Sequence, residues 1–223
     1  MTRMIVISLL LLVLLSACGA QHPLATPFNT PEASSTPTIQ ASVTPSERRD
    51  IQATPCGLKP VVAPTLPAVI PGYTDLDPVT GLHMTGKYQQ IDLSTYRLKI
   101  MGKVEHLLSL SYDDLRCMPK IESRPTLVCP GFFTDVEAWA GVPLKSILEQ
   151  AVVLPDATGV RLNSADGYSA TITLREALLE ENYLAYEWEG EPLPILHGFP
   201  VRAVFPHLQG NTWVKWLISI ELY

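Results

Sequence analysis

The chain has 223 residues, 47% of them hydrophobic and 17% charged, which is the balance of an ordinary globular protein. Its net charge of -6 disfavours a nucleic-acid or anionic-membrane partner, so each basic residue has to be judged singly. Four cysteines at unequal spacings make no C-x-x-C zinc pair, no C-x-x-C-H haem site and no disulfide framework, and each thiol needs its own explanation.

Arg3 is the only charge ahead of an apolar run from Met4 to Leu15, which is too short to cross a bilayer and has the length of a signal-peptide core. The run ends in Leu15-Ser16-Ala17-Cys18-Gly19, which resembles the lipobox of bacterial lipoproteins. That resemblance implies a signal peptide over residues 1–18 and a lipid on Cys18. The mature protein is then expected outside the cytoplasm, lipid-anchored to the cell membrane. Residues 19–71 are rich in Pro, Thr, Ser and Ala with almost no apolar periodicity, so they cannot bury enough surface to offset chain entropy and read as a flexible tether. Cys56 falls in it as a free thiol, a disulfide partner or a residue of no consequence. A mobile segment holds no ligand geometry, which favours the last. Residues 72–223, about two thirds of the chain, make one domain.

Within that domain, Tyr96 to Val104 alternates with Leu98, Ile100 and Gly102 on one face, the period of a half-buried strand. Ser111 followed by Asp114 reads as the capped start of a short helix, and Cys117 on it reads as a buried structural cysteine. Arg124 to Val128 is a short strand running into Cys129-Pro130-Gly131, where Pro and Gly force a turn and leave Cys129 at a strand end. Gly141-Val142-Pro143-Leu144 opens a helix with an apolar stripe of Leu144, Ile147, Leu148 and Ala151. Val160 to Asn163 and Tyr168 to Leu174 form a hairpin through Asp166-Gly167. Thr173 with Glu176 caps a helix to about Glu181. Strands follow over Pro200 to Phe205 and Thr212 to Leu222, the latter alternating Val214, Trp216, Ile218, Ile220 and Leu222. Strands and helices mix without strict βαβ alternation, so the class is α+β, mixed β-sheets with short helices.

The run Leu184-Ala185-Tyr186-Glu187-Trp188-Glu189-Gly190-Glu191-Pro192-Leu193-Pro194 continues into His197-Gly198-Phe199-Pro200-Val201-Arg202, and then Gly210 through Val214-Lys215-Trp216-Leu217. It closely resembles the molybdopterin-binding domain of sulfite oxidases and their bacterial relatives. Upstream, Cys129 followed by Trp139, Gly141, Val142, Pro143 and Leu144 resembles the segment in which that family places its molybdenum-ligating cysteine. The resemblance spans roughly Leu98 to Leu222. It implies that Cys129 is the protein ligand to molybdenum and the catalytic cysteine, and that His197, Arg202, Lys215 and Gly210 bind the molybdenum-molybdopterin cofactor. Asp166, with Gly167 and Tyr168, aligns with a turn bordering the pocket in relatives, although Asp-Gly is also ordinary hairpin chemistry. The residue types suit the assignment, since the cofactor has a phosphate tail, a polar pterin and dithiolene sulfurs, and calls for anion clamps and one soft donor.

The resemblance further implies two-electron oxygen-atom transfer on a small-molecule substrate, with electrons passed to a separate partner, a cytochrome or quinone-linked membrane protein, since neither the family's dimerisation domain nor a haem domain is expected here. The alternative is a binding or assembly lipoprotein that keeps the fold without metal. Pro130 to Trp139 (PGFFTDVEAW) departs from the family, with acidic and aromatic residues where sulfite oxidases have a more polar, arginine-bearing segment. An anionic substrate such as sulfite wants a positive pocket, so sulfite itself does not follow. His83, His106 and His207 show no metal-ligand spacing and read as surface or packing residues, and His22 lies in the tether.

Overall fold

The computed structural model describes residues 56–223. The apolar run, Cys18, His22 and the tether as far as residue 55 lie outside the described residues. The first strand, β1 (Leu98–Gly102), buries Leu98 and Ile100 as their alternation requires, and β2 (Leu108–Leu110) returns antiparallel beside it. Ser111 then caps α1 (Tyr112–Arg116) in a reciprocal capping box with Asp114.

Next come β3 (Ile121–Ser123), β4 (Thr126–Cys129), β5 (Phe133–Val136) and β6 (Trp139–Pro143), the last running directly into α2 (Leu144–Ala151). The helix starts after Pro143 rather than at Gly141, because Gly141 and Val142 are still paired to a neighbouring strand. Its stripe of Leu144, Ile147, Leu148 and Ala151 is fully buried, and each large apolar side chain removed from water contributes about 1.5–3 kcal/mol. The hairpin β7 (Gly159–Ser164) and β8 (Ser169–Thr173) turns through Asp166-Gly167 as the sequence requires.

Thr173 caps α3 (Leu174–Ala177), which ends well short of Glu181. Asn182 cuts it off: its side-chain amide donates to the Glu176 carbonyl, and its own carbonyl accepts the Leu144 N–H at the start of α2. The chain closes with β9 (Tyr183–Trp188), β10 (Glu191–Pro192), β11 (Arg202–Val204) and β12 (Leu217–Leu222).

These strands form two five-stranded sheets and one separate hairpin. One sheet has the order β2-β1-β12-β7-β8, with β1 and β12 parallel. The other runs β10-β9-β6-β3 with β11 also paired to β9, and β4-β5 stands alone as a two-stranded ribbon. The class is α+β, as expected. The terminal strand is shorter than its alternation implied. Trp216 takes a left-handed backbone (φ 49°) and the ladder slips between Leu217 and Ser219, so Leu217 turns inward and Ile218 outward.

The segment read as the end of a tether is fastened to the domain. Cys56 and Cys117 form a disulfide across 61 residues, Val61 packs on the core, and the Lys59 carbonyl accepts from Arg116. The bond corrects the reading of Cys56 as a residue of no consequence, and Cys117 is structural as read, though as half of a crosslink and only partly buried.

Candidate functional site

Cys129, Asp166, His197, Arg202, Gly210 and Lys215 come from four separate stretches of chain, and all line one cavity of about 260 Å³. Cys129 is at the end of β4, the last residue paired before the Pro130-Gly131 turn, where it pairs with Phe133. It is half-buried and is the free cysteine of the described residues. Burial first, and then the Asp135 carboxylate, push its thiol pKa up.

Arg202 lies on β11 and is 4% exposed. Its Nη1 donates to the His197 carbonyl at 3.2 Å, its guanidinium stacks on Trp139 at 4.5 Å and on Trp213 at 5.8 Å, and its buried Nε has no hydrogen-bond partner. Burial lowers its pKa to about 10, opposed by Asp135 and Tyr183. It is therefore a cation at neutral pH.

Lys215 is not on a strand but in the bend ahead of β12. It is held in place because Val214 O accepts from Ala203 N, Leu217 N donates to Val201 O and Trp216 O accepts from Ala165 N, which ties the bend to both sheets. Its ammonium donates to Leu196 O at 3.0 Å and lies over the Trp216 ring. Burial, then the Arg202 charge, lower its pKa well below the usual lysine value, while Asp166 and Asp135 oppose the shift.

His197 ends a short 3-10 turn over Ile195–His197 and is nearly inaccessible. Its Nε2 is 2.9 Å from Asp77 Oδ2 and 2.9 Å from Thr80 Oγ1. Burial and the neighbouring Lys215 charge push its pKa down to about 3, against the pull of Asp77. The ring is neutral, and its contact with Asp77 is a hydrogen bond from Nε2–H rather than an ion pair. Gly198 follows at φ 115°, and a Cβ there would sit 3.0 Å from Arg202 Cβ and 3.2 Å from Lys215 Cβ, so glycine is what lets this turn close over both cations.

Gly210 has a similar use at the other wall, where a Cβ would meet Leu127 at 3.0 Å and Val128 O at 3.1 Å, atoms of the strand that carries Cys129. Asp166 accepts the N–H groups of Tyr168 and Lys87. Burial opposes its charge, yet its hydrogen bonds and the Lys215 charge outweigh burial and lower its pKa. Tyr168, on the same turn, donates its hydroxyl to Asn211 O at 2.7 Å.

His83, read from the sequence as a surface or packing residue, and Asp135, given no role there, both line the cavity. His83 Nδ1 is 2.6 Å from Asp135 Oδ1, and its ring stacks on Phe133 at 4.4 Å with an interplanar angle of 8°. Asp135 is 8% exposed. The signal lay in the alternation of Phe133 and Asp135, which share a face once β5 is recognised as the partner of β4. His207, by contrast, pairs with Glu181 on the surface as a packing or surface residue would.

Residues 85–223 match the family of oxidoreductase molybdopterin binding domains. The chain belongs to that family. It is 36% identical over 131 residues to the oxidoreductase YuiH of Bacillus subtilis, covering 58% of this chain and 66% of that protein. It is 36% identical over 162 residues to mitochondrial sulfite oxidase of Homo sapiens, covering 59% of this chain and 30% of that protein. The chain thus spans less than two thirds of these relatives. The sulfane dehydrogenase SoxCD of Paracoccus pantotrophus shares the fold, with a TM-score of 0.60 and 22% identity over 78% of this chain and 55% of that one.

The residues fit the cofactor that the family binds. Arg202 is a buried cation and Lys215 a buried amine whose charge burial disfavours; each has one backbone carbonyl as hydrogen-bond partner and the Arg202 Nε donor is unused, so a bound anion is the group that completes both. The Cys129 thiol, which lines the same cavity, offers one soft sulfur donor. Among the described residues no cluster of three or more His, Cys, Asp or Glu side chains is arranged to hold a metal ion.

Proposed function

We propose that this chain is an extracytoplasmic, lipid-anchored oxidoreductase that binds molybdenum-molybdopterin and acts on a small oxo-transfer substrate. The observation that carries the reading is the convergence, on one cavity, of the Cys129 thiol with two buried basic side chains, Arg202 and Lys215, each hydrogen-bonded to a backbone carbonyl, with the Arg202 Nε donor unused. When bound, the cofactor supplies two-electron oxygen-atom transfer at molybdenum.

The chain's own residues divide the work of holding it. Cys129 is the metal's protein ligand, placed at a strand end where the backbone is fixed by pairing to Phe133. Arg202 and Lys215 clamp the phosphate and the pterin edge, Arg202 through its fork and Lys215 as a point charge. Neutral His197, locked by Asp77 and Thr80, presents a ring with Nδ1 free to hydrogen-bond the cofactor. Trp139, Trp213 and Trp216 screen the cations from water, which strengthens each charge-assisted contact. Asp166 shares the pocket wall, and the Gly210 turn keeps the cavity narrow over β4. Electrons leave through a separate protein, a cytochrome or a quinone-linked membrane partner.

Location outside the cytoplasm is supported by the Leu15-Ser16-Ala17-Cys18 pattern and by the Cys56–Cys117 disulfide, since such bonds persist in oxidising compartments. The test is elemental and pterin analysis of protein made in a molybdopterin-competent host. One molybdenum and one pterin per chain, with dye-linked oxo-transfer activity, is the expected result. A folded chain from that host with neither would mean a non-catalytic protein that retains the fold.

A further inference from the structure

We propose that His83, held by Asp135, is the side chain that contacts the substrate, and that this pair selects uncharged oxo compounds over oxyanions. The proposal rests on the function proposed above and assigns the substrate class of that same cavity.

The pair is built rather than incidental. One carboxylate receives both the backbone N–H of His83, at Oδ2 and 3.0 Å, and its ring Nδ1, at Oδ1 and 2.6 Å. The ring then lies flat on Phe133, the residue paired in register with Cys129. Two hydrogen bonds and a stacking contact fix both torsions of the imidazole, and its Nε2 has no hydrogen-bond partner among the described residues. The side chain is 26% exposed and lines the cavity, so this nitrogen is available to a bound molecule beside the thiol.

Charge decides which molecule that is. With Nδ1–H given to a carboxylate, Nε2 donates a hydrogen bond if the ring is protonated and accepts one if it is not. In the first state the pair is neutral overall and in the second it is anionic; in neither does it carry net positive charge. Arg202 and Lys215 share the cavity with two carboxylates, Asp135 and Asp166, so the formal charges of the lining sum to zero with His83 neutral and to +1 with it protonated, and the phosphate of the cofactor adds negative charge to either. An oxyanion entering there meets repulsion in a site screened from water, whereas an uncharged S-oxide or N-oxide meets a hydrogen-bonding group and no net penalty. His83 also precedes residue 85, where the family match begins, and Asp135 sits in the stretch that departs from the sulfite oxidase pattern.

The experiment compares reductions driven by reduced viologen dye, in which each oxo compound takes two electrons and two protons and yields the deoxygenated product and water. Dimethyl sulfoxide and trimethylamine N-oxide serve as uncharged substrates, nitrate and chlorate as oxyanions, with molybdenum content measured on every preparation. The expected wild-type preference in kcat/KM is at least tenfold for the uncharged pair. His83→Ala should lose at least tenfold on that pair with molybdenum content unchanged. His83→Gln, whose amide can still reach Asp135, should recover part of it, and Asp135→Asn should narrow the preference by raising the oxyanion rates. A wild type that prefers nitrate or chlorate, or a His83→Ala protein with unchanged selectivity, overturns the proposal. Wild-type protein without molybdenum overturns the functional reading instead. The pair is then judged by ¹⁵N imidazole spectra of the wild type: a His83 Nε2 signal moved by dimethyl sulfoxide and not by nitrate supports it, and any other pattern overturns it.

Discussion

Replacing Arg202 by methionine separates cofactor binding from folding, because the two effects have opposite signs. Burial brings the guanidinium pKa from its ordinary 12.5 to about 10. At about 1.4 kcal/mol for each factor of ten in proton affinity, the buried charge costs on the order of 3 kcal/mol in protein without cofactor. The depressed pKa belongs to a base, so this cost is fully present at neutral pH and is relieved only as pH rises through about 10. Against it stands the stacking on Trp139, worth about 2 kcal/mol for a desolvated cation. Methionine roughly keeps the volume and removes both terms, so the cofactor-free protein should unfold within about 1 kcal/mol of wild type or later, a few degrees in Tm at most. Cofactor retention should fall sharply. A charge-assisted hydrogen bond is worth about 1.5–3 kcal/mol, which is roughly ten-fold to more than a hundred-fold in affinity. Arg202→Lys should recover part of this, keeping the charge but losing the planar fork. The assay is molybdenum and pterin content of purified protein after dialysis, beside thermal melts of cofactor-free samples. Full occupancy in Arg202→Met would refute the clamp, and a melt lowered by more than 10 °C would refute the energetic argument.

Cys129→Ser should lose oxo-transfer activity while the fold survives, since it exchanges a sulfur donor for oxygen at a turn with little change in volume; an unaltered molybdenum spectroscopic signature would remove the ligand role. Lys215→Met, judged by the same occupancy assay, should also lower cofactor retention by roughly ten-fold or more, with cofactor-free stability unchanged or raised because a buried ammonium is removed. Cys18→Ser should release the domain from membranes, and protein that still fractionates entirely with membrane would contradict the lipid anchor.

How much was legible in the sequence follows from how local each feature is. The capping boxes at Ser111 and Thr173, the buried stripe of α2 and the Asp166-Gly167 hairpin all rest on chemistry within a few residues, and all are in the structure. The register of β12 was not legible, because alternation assumes an even pleat and Trp216 leaves it through a left-handed backbone. Arg202 and Lys215 were assigned through family likeness alone. Their burial and their hydrogen bonds to backbone carbonyls, the physical reason to expect an anion, appear only in the fold, where Gly198 packs against both. His83 and Asp135 meet across 52 residues, and no periodicity brings together a loop and a two-stranded ribbon.

The Cys56–Cys117 bond shows the same limit from the opposite side, since composition marked residue 56 as tether and packing holds it. The bond spans 61 residues, and closing a loop of that size in the unfolded chain accounts for about 4 kcal/mol. Domains of this size are stable by about 5–15 kcal/mol, so the crosslink is a large part of the whole. A Cys56→Ser/Cys117→Ser protein should therefore unfold at a much lower urea concentration than oxidised wild type, with a midpoint insensitive to reductant. Wild type treated with reductant should fall to the same midpoint, while Cys129, which is outside the bond, contributes nothing to the difference. Equal midpoints for the double variant and oxidised wild type would refute the stabilising role. If the difference is found, a chain kept in a reducing cytoplasm would be the less stable form, and export before folding becomes a condition of reaching full stability rather than a matter of address alone.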